Sequence, residues 1–119
     1  MSIPVRWLTE KLAITGQMEA SDVPTLAEMG FKTLICNRPD FEYEPDQPTA
    51  SAIASAAQDC GLAFVYLPVT PDGGSAADAK AMGEALGAHA APVLAYCKTG
   101  GRCMALIGVA ARMGYSLPQ

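Results

Sequence analysis

The sequence predicts an α/β fold, a small three-layer domain in which a four-stranded, mostly parallel sheet is flanked by helices. Three observations predict it. Four apolar, β-rich runs, "KLAITG", "FKTLICNR", "LAFVYLPV" and "PVLAYC", recur along the 119 residues. Alanine-rich stretches of helical length separate them, and strands alternating with helices read as parallel crossover units. Each crossover is long enough for the right-handed connection that parallel strands require.

Taken in order, "KLAITG" (11–16) is the first strand, closed by Gly16. The helix "SDVPTLAEMG" follows, with Ser21 or Asp22 as N-cap and Gly30 as its stop. "FKTLICNR" is a buried second strand, and the loop "PDFEYEPDQP" brings in Pro48 as a good first residue for the next helix. That helix, "TASAIASAAQDCG", ends at Gly61 and feeds the third strand, "LAFVYLPV". After the turn "TPDGGS", Ser75 and Asp78 form a capping box for "AADAKAMGEALGAH". "PVLAYC" is the fourth strand, and "GGRCMALIGVAARMG" the fourth helix.

Composition narrows the function. Half of the residues are hydrophobic and 17% are charged, so the chain is globular. No linker divides residues 1–119, which read as one domain. A net charge of −4 without a basic run excludes a nucleic-acid footprint and a membrane-surface patch. The apolar stretches are too short to span a bilayer, and the start, "MSIPVRWLTEKL", has no signal-peptide core, so a cytoplasmic protein is expected. Cysteines stand at positions 36, 60, 97 and 103, without a CxxC pair and with His89 as the sole histidine. In a cytosolic chain that pattern points to packed or reactive thiols rather than a disulfide framework, and to neither metal nor cofactor.

The chemistry concentrates in "YCKTGGRC". Cys97 leaves a buried strand and faces the N-terminus of the last helix, where free N–H groups and the helix dipole favour an anion. Gly100 and Gly101 let the backbone curl so that several N–H groups point inward. Lys98 and Arg102 add positive charge, and Thr99 completes the loop. All of this favours a thiolate, a nucleophile seated in its own oxyanion site. Cys36 and Cys60 read as inert packed thiols, and His89 as a histidine at a helix end.

The segments "GFKTLICNRPDFEYEPDQP", "GLAFVYLPVT" and "PVLAYCKTGGRC" resemble the bacterial beta-lactamase-hydrolase-like phosphatase family, also described as sulfurtransferases. The resemblance runs from about Leu12 to Gly114. It implies a fold like that of dual-specificity phosphatases. In several members the domain accompanies a metallo-hydrolase domain that oxidises persulfides, so a persulfide-oxidising partner enzyme is expected, and this chain lacks the HxHxD-type cluster of such a domain. It also implies a longer C-terminal portion than "MGYSLPQ", so the chain is either naturally short or truncated at that end.

Within that resemblance two chemistries compete. Four residues lie between Cys97 and Arg102, one fewer than in cysteine-dependent phosphatases, and the tighter loop is similar to that of rhodaneses, which carry a persulfide. Phosphate-ester hydrolysis through a phosphocysteine also needs an acid for the leaving oxygen. Asp72, in the turn after the third strand, occupies the corresponding region, and Tyr96 replaces the histidine that phosphatases place before the nucleophile. The expectation is a sulfurtransferase taking a small anionic sulfur donor, with a phosphatase of phosphorylated substrates as alternative. A non-catalytic anion- or partner-binding domain is the third reading. Arg38 either helps Lys98, Thr99, Gly100 and Gly101 to bind the anion or braces its loop against Asp40. Glu42, Glu44 and Asp46 read as a solvated acidic surface. Cys103, where the family places a serine or threonine, is either a small packed residue or a resolving thiol that attacks an oxidised or persulfidated Cys97.

Overall fold

The computed structural model describes residues 3–72 and 74–119, and its layering follows from alternation along the strands. Strand β1 (Arg6–Thr9) pairs antiparallel with β2 (Leu12–Thr15). A 3-10 turn (Ala20–Asp22) and helix α1 (Val23–Glu28) lead to β3 (Thr33–Cys36). Helix α2 (Ala50–Asp59), strand β4 (Ala63–Tyr66), helix α3 (Ala76–Ala88), strand β5 (Val93–Tyr96) and helix α4 (Gly101–Arg112) complete the order. The sheet runs β1-β2-β5-β3-β4, and every pairing except β1–β2 is parallel.

Successive side chains of a strand face opposite sides of its sheet. Leu12, Ile14, Ile35, Val93 and Ala95 therefore join Met82 and Leu86 of α3 and Leu106 and Ile107 of α4 in one core layer. Ala13, Leu34, Cys36, Leu94 and Tyr96 join Val23 and Leu26 of α1 and Ile53 and Ala57 of α2 in the other. All of β2, β3 and β5 is buried, which explains why those runs are apolar at almost every position. No helix among the described residues is long and apolar enough to cross a membrane.

The three-layer, mostly parallel architecture agrees with the sequence reading, with one strand more than expected. The added strand, "RWLT", carries no apolar run; two of its residues are exposed and two half-buried. Tertiary contact holds it, with Trp7 stacked on Phe31 at 5.1 Å between ring centres. Asp22, one of the two expected N-caps, caps α1, and a box between Glu19 and Asp22 closes the 3-10 turn before it. Helix α2 starts at Ala50, two residues after Pro48, with Thr49 as N-cap, its side chain accepting from the Ala52 N–H. The box of Ser75 and Asp78 forms as expected. Gly73 of the predicted turn lies outside the described residues.

Strands β2 and β5 end side by side, where the chain needs room for a close approach. A Cβ on Gly16 would lie 2.8 Å from the Lys98 carbonyl oxygen and 3.5 Å from the Thr99 Cα. The Gln17 N–H donates to that same carbonyl at 3.2 Å. Gly16 thus sets the position of the loop after β5. Gly16→Ala should lower stability by about 1–3 kcal/mol through overpacking against backbone, read from urea unfolding, and should slow alkylation of Cys97. An unchanged melt and alkylation rate would show that the loop does not depend on this approach.

Candidate active site

Cys97 follows β5 directly and is 1% exposed. Tyr96, one position earlier, points to the opposite core layer and packs there beside Cys36. The Gly100 N–H donates to the Cys97 Sγ at 3.1 Å, and the Thr99 and Cys103 N–H groups also point at that sulfur. Gly100, with φ 95°, makes the left-handed turn that aims these donors inward and serves as the N-cap of α4. The sulfur therefore sits in a ring of backbone donors at the positive end of a twelve-residue helix.

The Cys103 side chain joins this ring. It is completely buried, and its thiol donates to the Cys97 sulfur. That bond, together with the N–H groups of Cys103, Thr99 and Gly100, outweighs burial and pulls the Cys97 thiol down to about pKa 5. Burial and the neighbouring sulfur push Cys103 the other way, so it stays a thiol. As placed, Cys103 stabilises the nucleophile's charge, and a resolving attack needs it to lose the proton it is donating.

Arg102 feels the Cys97 charge, and its hydrogen bonds go elsewhere. Its Nη1 and Nη2 grip the Glu42 carboxylate at 2.8 and 3.1 Å, and Nη1 also donates to the Val69 carbonyl at 3.0 Å. Glu42 is 7% exposed and accepts as well from the Arg38 Nε at 3.1 Å. Burial opposes the charge of both partners, yet the pairing wins: Glu42 is held below the usual carboxylate range and Arg102 is raised. Glu42 is the residue at this site that the sequence reading does not single out. Its loop reads as a solvated acidic surface, and the one signal was the four-residue spacing from Arg38.

Arg38 is braced rather than presented to an anion. It is 1% exposed, with Nη1 on the Gln17 side chain at 3.1 Å and Nη2 on Glu44 at 2.9 Å. The brace is not Asp40, whose Oδ1 instead accepts from the Ala50 N–H at the start of α2. Lys98 is half exposed, with its Nζ 3.8 Å from Glu44 and 4.6 Å from the centre of the Tyr43 ring. The Thr99 hydroxyl accepts from the Gly101 N–H at 3.5 Å. Asp72 is exposed and turned onto its own turn, where the Thr70 hydroxyl and the Gly74 N–H hold its carboxylate ionised. The structure thus brings Cys97, Thr99, Gly100 and Cys103 together, with Arg102 beside them, and gives Asp72 no contact with that group.

A cavity of about 440 Å³ adjoins the loop, lined by Arg6, Ile14, Thr15, Thr99, Gly101 and Met104 among others. His89 ends α3 as its C-cap. Among the described residues no group of three His, Cys, Asp or Glu side chains is placed to hold a metal ion.

The thiolate gives two expected outcomes. The ultraviolet absorbance of the Cys97 thiolate, taken as the difference from Cys97→Ser, should titrate near pH 5. Cys103→Ala should raise that midpoint by about one unit and Cys103→Ser restore it; a midpoint unmoved by either variant would remove Cys103 from the site. Stability is linked to the same group. Between the folded value of about 5 and the unfolded value near 8.5, the unfolded chain binds the extra proton. Stability therefore rises with pH across that window and is lost as pH falls towards 5. Thermal melts of Cys97→Ser should lose this slope.

Comparison with known proteins places this geometry in a lineage. Residues 4–113 match the model of the family described as beta-lactamase hydrolase-like protein, phosphatase-like domain. A beta-lactamase hydrolase-like protein of Agrobacterium fabrum is 37% identical over 99 residues, 83% of this chain and 23% of that protein. A relative from Xylella fastidiosa is 36% identical over the same share. The chain therefore spans about a quarter of the length of these curated relatives. A Neisseria meningitidis structure assigned as a phosphatase superposes with a TM-score of 0.85 at 36% identity, covering 98% of this chain and 82% of its own. TpbA of P. aeruginosa, at 20% identity and TM-score 0.61 over 82% of this chain and 55% of its own, shares the fold.

Proposed function

We propose that this chain, which belongs to the family of beta-lactamase hydrolase-like proteins as their phosphatase-like domain, is a thiol-dependent transferase carrying sulfane sulfur as a persulfide on Cys97. The observation that carries this reading is the loop itself, a thiolate ringed by backbone N–H groups over four intervening residues with no acid beside it. In the first step the Cys97 thiolate attacks the outer sulfur of a donor R–S–S⁻. A new S–S bond forms on Cys97, the donor's S–S bond breaks, and R–S⁻ leaves. In the second step an acceptor thiolate or cyanide attacks the outer sulfur, and Cys97 leaves as the thiolate it began as. No proton has to be delivered and no oxidant is consumed.

The N–H groups of Thr99, Gly100 and Cys103 hold the negative charge wherever it rests, on Cys97 or on the outer sulfur. A thiol with an ordinary pKa would be mostly protonated at neutral pH and would neither attack nor leave well. Burial of Cys97 adds protection of the persulfide from water.

The second reading, phosphate-ester hydrolysis through a phosphocysteine, is the one the fold comparisons favour, through the family's description and the phosphatase assignment of the Neisseria structure. It asks more of this chain. Asp72 must gain a proton, leave Thr70 and Gly74, and move to the loop. Arg102 must turn the N–H groups left over from Glu42 and Val69 towards a phosphoryl group on Cys97.

Two assays run together test both readings. With thiosulfate or an organic persulfide as donor and cyanide as acceptor, the wild type should release thiocyanate, and Cys97→Ser should abolish it. Aryl phosphate turnover should be weak and indifferent to Asp72→Asn. Vanadate-sensitive phosphatase activity that depends on Asp72, without thiocyanate, would establish the second reading. Silence in both assays would leave a binding domain.

A further inference from the structure

Six charged groups meet at the loop. Arg38, Arg102 and Lys98 are positive; Glu42, Glu44 and the Cys97 thiolate are negative. These six charges sum to zero before anything binds, with Arg6 across the adjoining cavity outside their pairings. The pairings are unequal in depth, because Glu42, Arg38 and Arg102 are buried while Glu44 and Lys98 lie at the rim. Solvent screens the rim pair, so the balance is set by Glu42.

A cationic loop prefers the ligand with the most negative charge, and a neutral loop has no such preference. Here Glu42 takes both forks of Arg102 and the Nε of Arg38. Glu42 and the Val69 carbonyl take three of the five Arg102 N–H groups and leave Nε and one Nη2 hydrogen, so what Glu42 sets is the charge that a ligand meets rather than access to the arginine. We propose that Glu42 is a specificity-determining residue that acts through Arg102, serving as a built-in counter-anion that makes the loop discriminate against doubly charged ligands. The proposal rests on the sulfur-transfer reading for its consequence, that singly charged sulfane-sulfur donors are preferred to phosphomonoesters and thiosulfate. The discrimination itself is a binding property and stands apart from turnover.

The experiment uses two tetrahedral anions of like shape and different charge, perchlorate and sulfate, as protectors of Cys97 against iodoacetamide at constant ionic strength. In the wild type, sulfate should protect no better than perchlorate. Glu42→Gln should tighten perchlorate about tenfold, the factor expected of one unit charge at a helix diameter in a protein-like dielectric, and sulfate about a hundredfold, so that the sulfate-to-perchlorate ratio rises about tenfold. Glu42→Asp, which keeps the charge and loosens the grip, should retain the wild-type ratio. A merely structural role would weaken both anions together and would not be rescued by aspartate. The proposal is overturned by equal effects on the two anions, or by a Glu42→Asp ratio that follows Glu42→Gln. If Glu42→Gln does not fold, the wild-type measurement decides, since sulfate protecting tenfold better than perchlorate refutes a neutral loop. Absence of thiocyanate in the wild type with the anion ratios intact would remove the sulfur reading and leave the role of Glu42 standing.

Discussion

One carboxylate held between two guanidinium groups ties the functional end of the sheet together. Glu42 joins Arg38, which follows β3, to Arg102, in the first turn of α4. Arg38 in turn reaches Gln17 after β2 and Glu44 further along its own loop, so three segments leaving the sheet share one network. Burying charges is expensive, and such a cluster stabilises only when each partner is satisfied. Here the carboxylate accepts from three guanidinium nitrogens, and the Arg38 nitrogens are divided among Glu42, Glu44 and Gln17. Removing any one member would strand the others, so the network works as a unit.

The loop containing Glu42 is held by more than charge. The Gln47 side chain donates to the Pro39 carbonyl and accepts from the Glu42 N–H, and Asp40 receives the first N–H of α2. Residues that look like loop filler in "RPDFEYEPDQP" thus fix the acidic loop against the start of α2. Phe41 and Tyr43 remain exposed between them, so the alternation in this segment is inverted relative to a core strand. Glu42 turns inward between outward-facing Phe41 and Tyr43, because the arginines are inside.

That inversion explains which parts were legible in the sequence. Strands β2, β3 and β5 announced themselves as apolar runs because hydrophobic periodicity is a local property. The thiolate nest was equally local, since Cys97, Gly100 and the start of α4 lie within a few residues. Strand β1 was not, because its pairing with β2 and the stacking of Trp7 on Phe31 are tertiary facts without a local pattern. Glu42 was hidden for the same reason, as a carboxylate in an acidic loop is normally solvated and only the fold reveals two arginines beneath it. Arg38 was recognised as belonging to this end of the sheet, but its partner depended on which carboxylate the loop turned inward. Cys103 was flagged by position alone, and the direction of its hydrogen bond had to come from the structure.

The contrast between sulfur and phosphoryl chemistry shows how little a shared fold decides. The parallel sheet, the strand-end cysteine and the helix N-terminus serve either reaction, because both need a low-pKa thiolate at the mouth of an anion nest. What separates them lies in a handful of atoms. A phosphoryl group brings two negative charges and an oxygen that needs a proton on departure, so it demands a free arginine and a protonated acid. A sulfane sulfur brings one charge, and both its leaving groups are stable as thiolates. In this chain Arg102 is paired with Glu42, and Asp72 is ionised on its own turn. It is on the rearrangement of those two contacts that the chemistries divide.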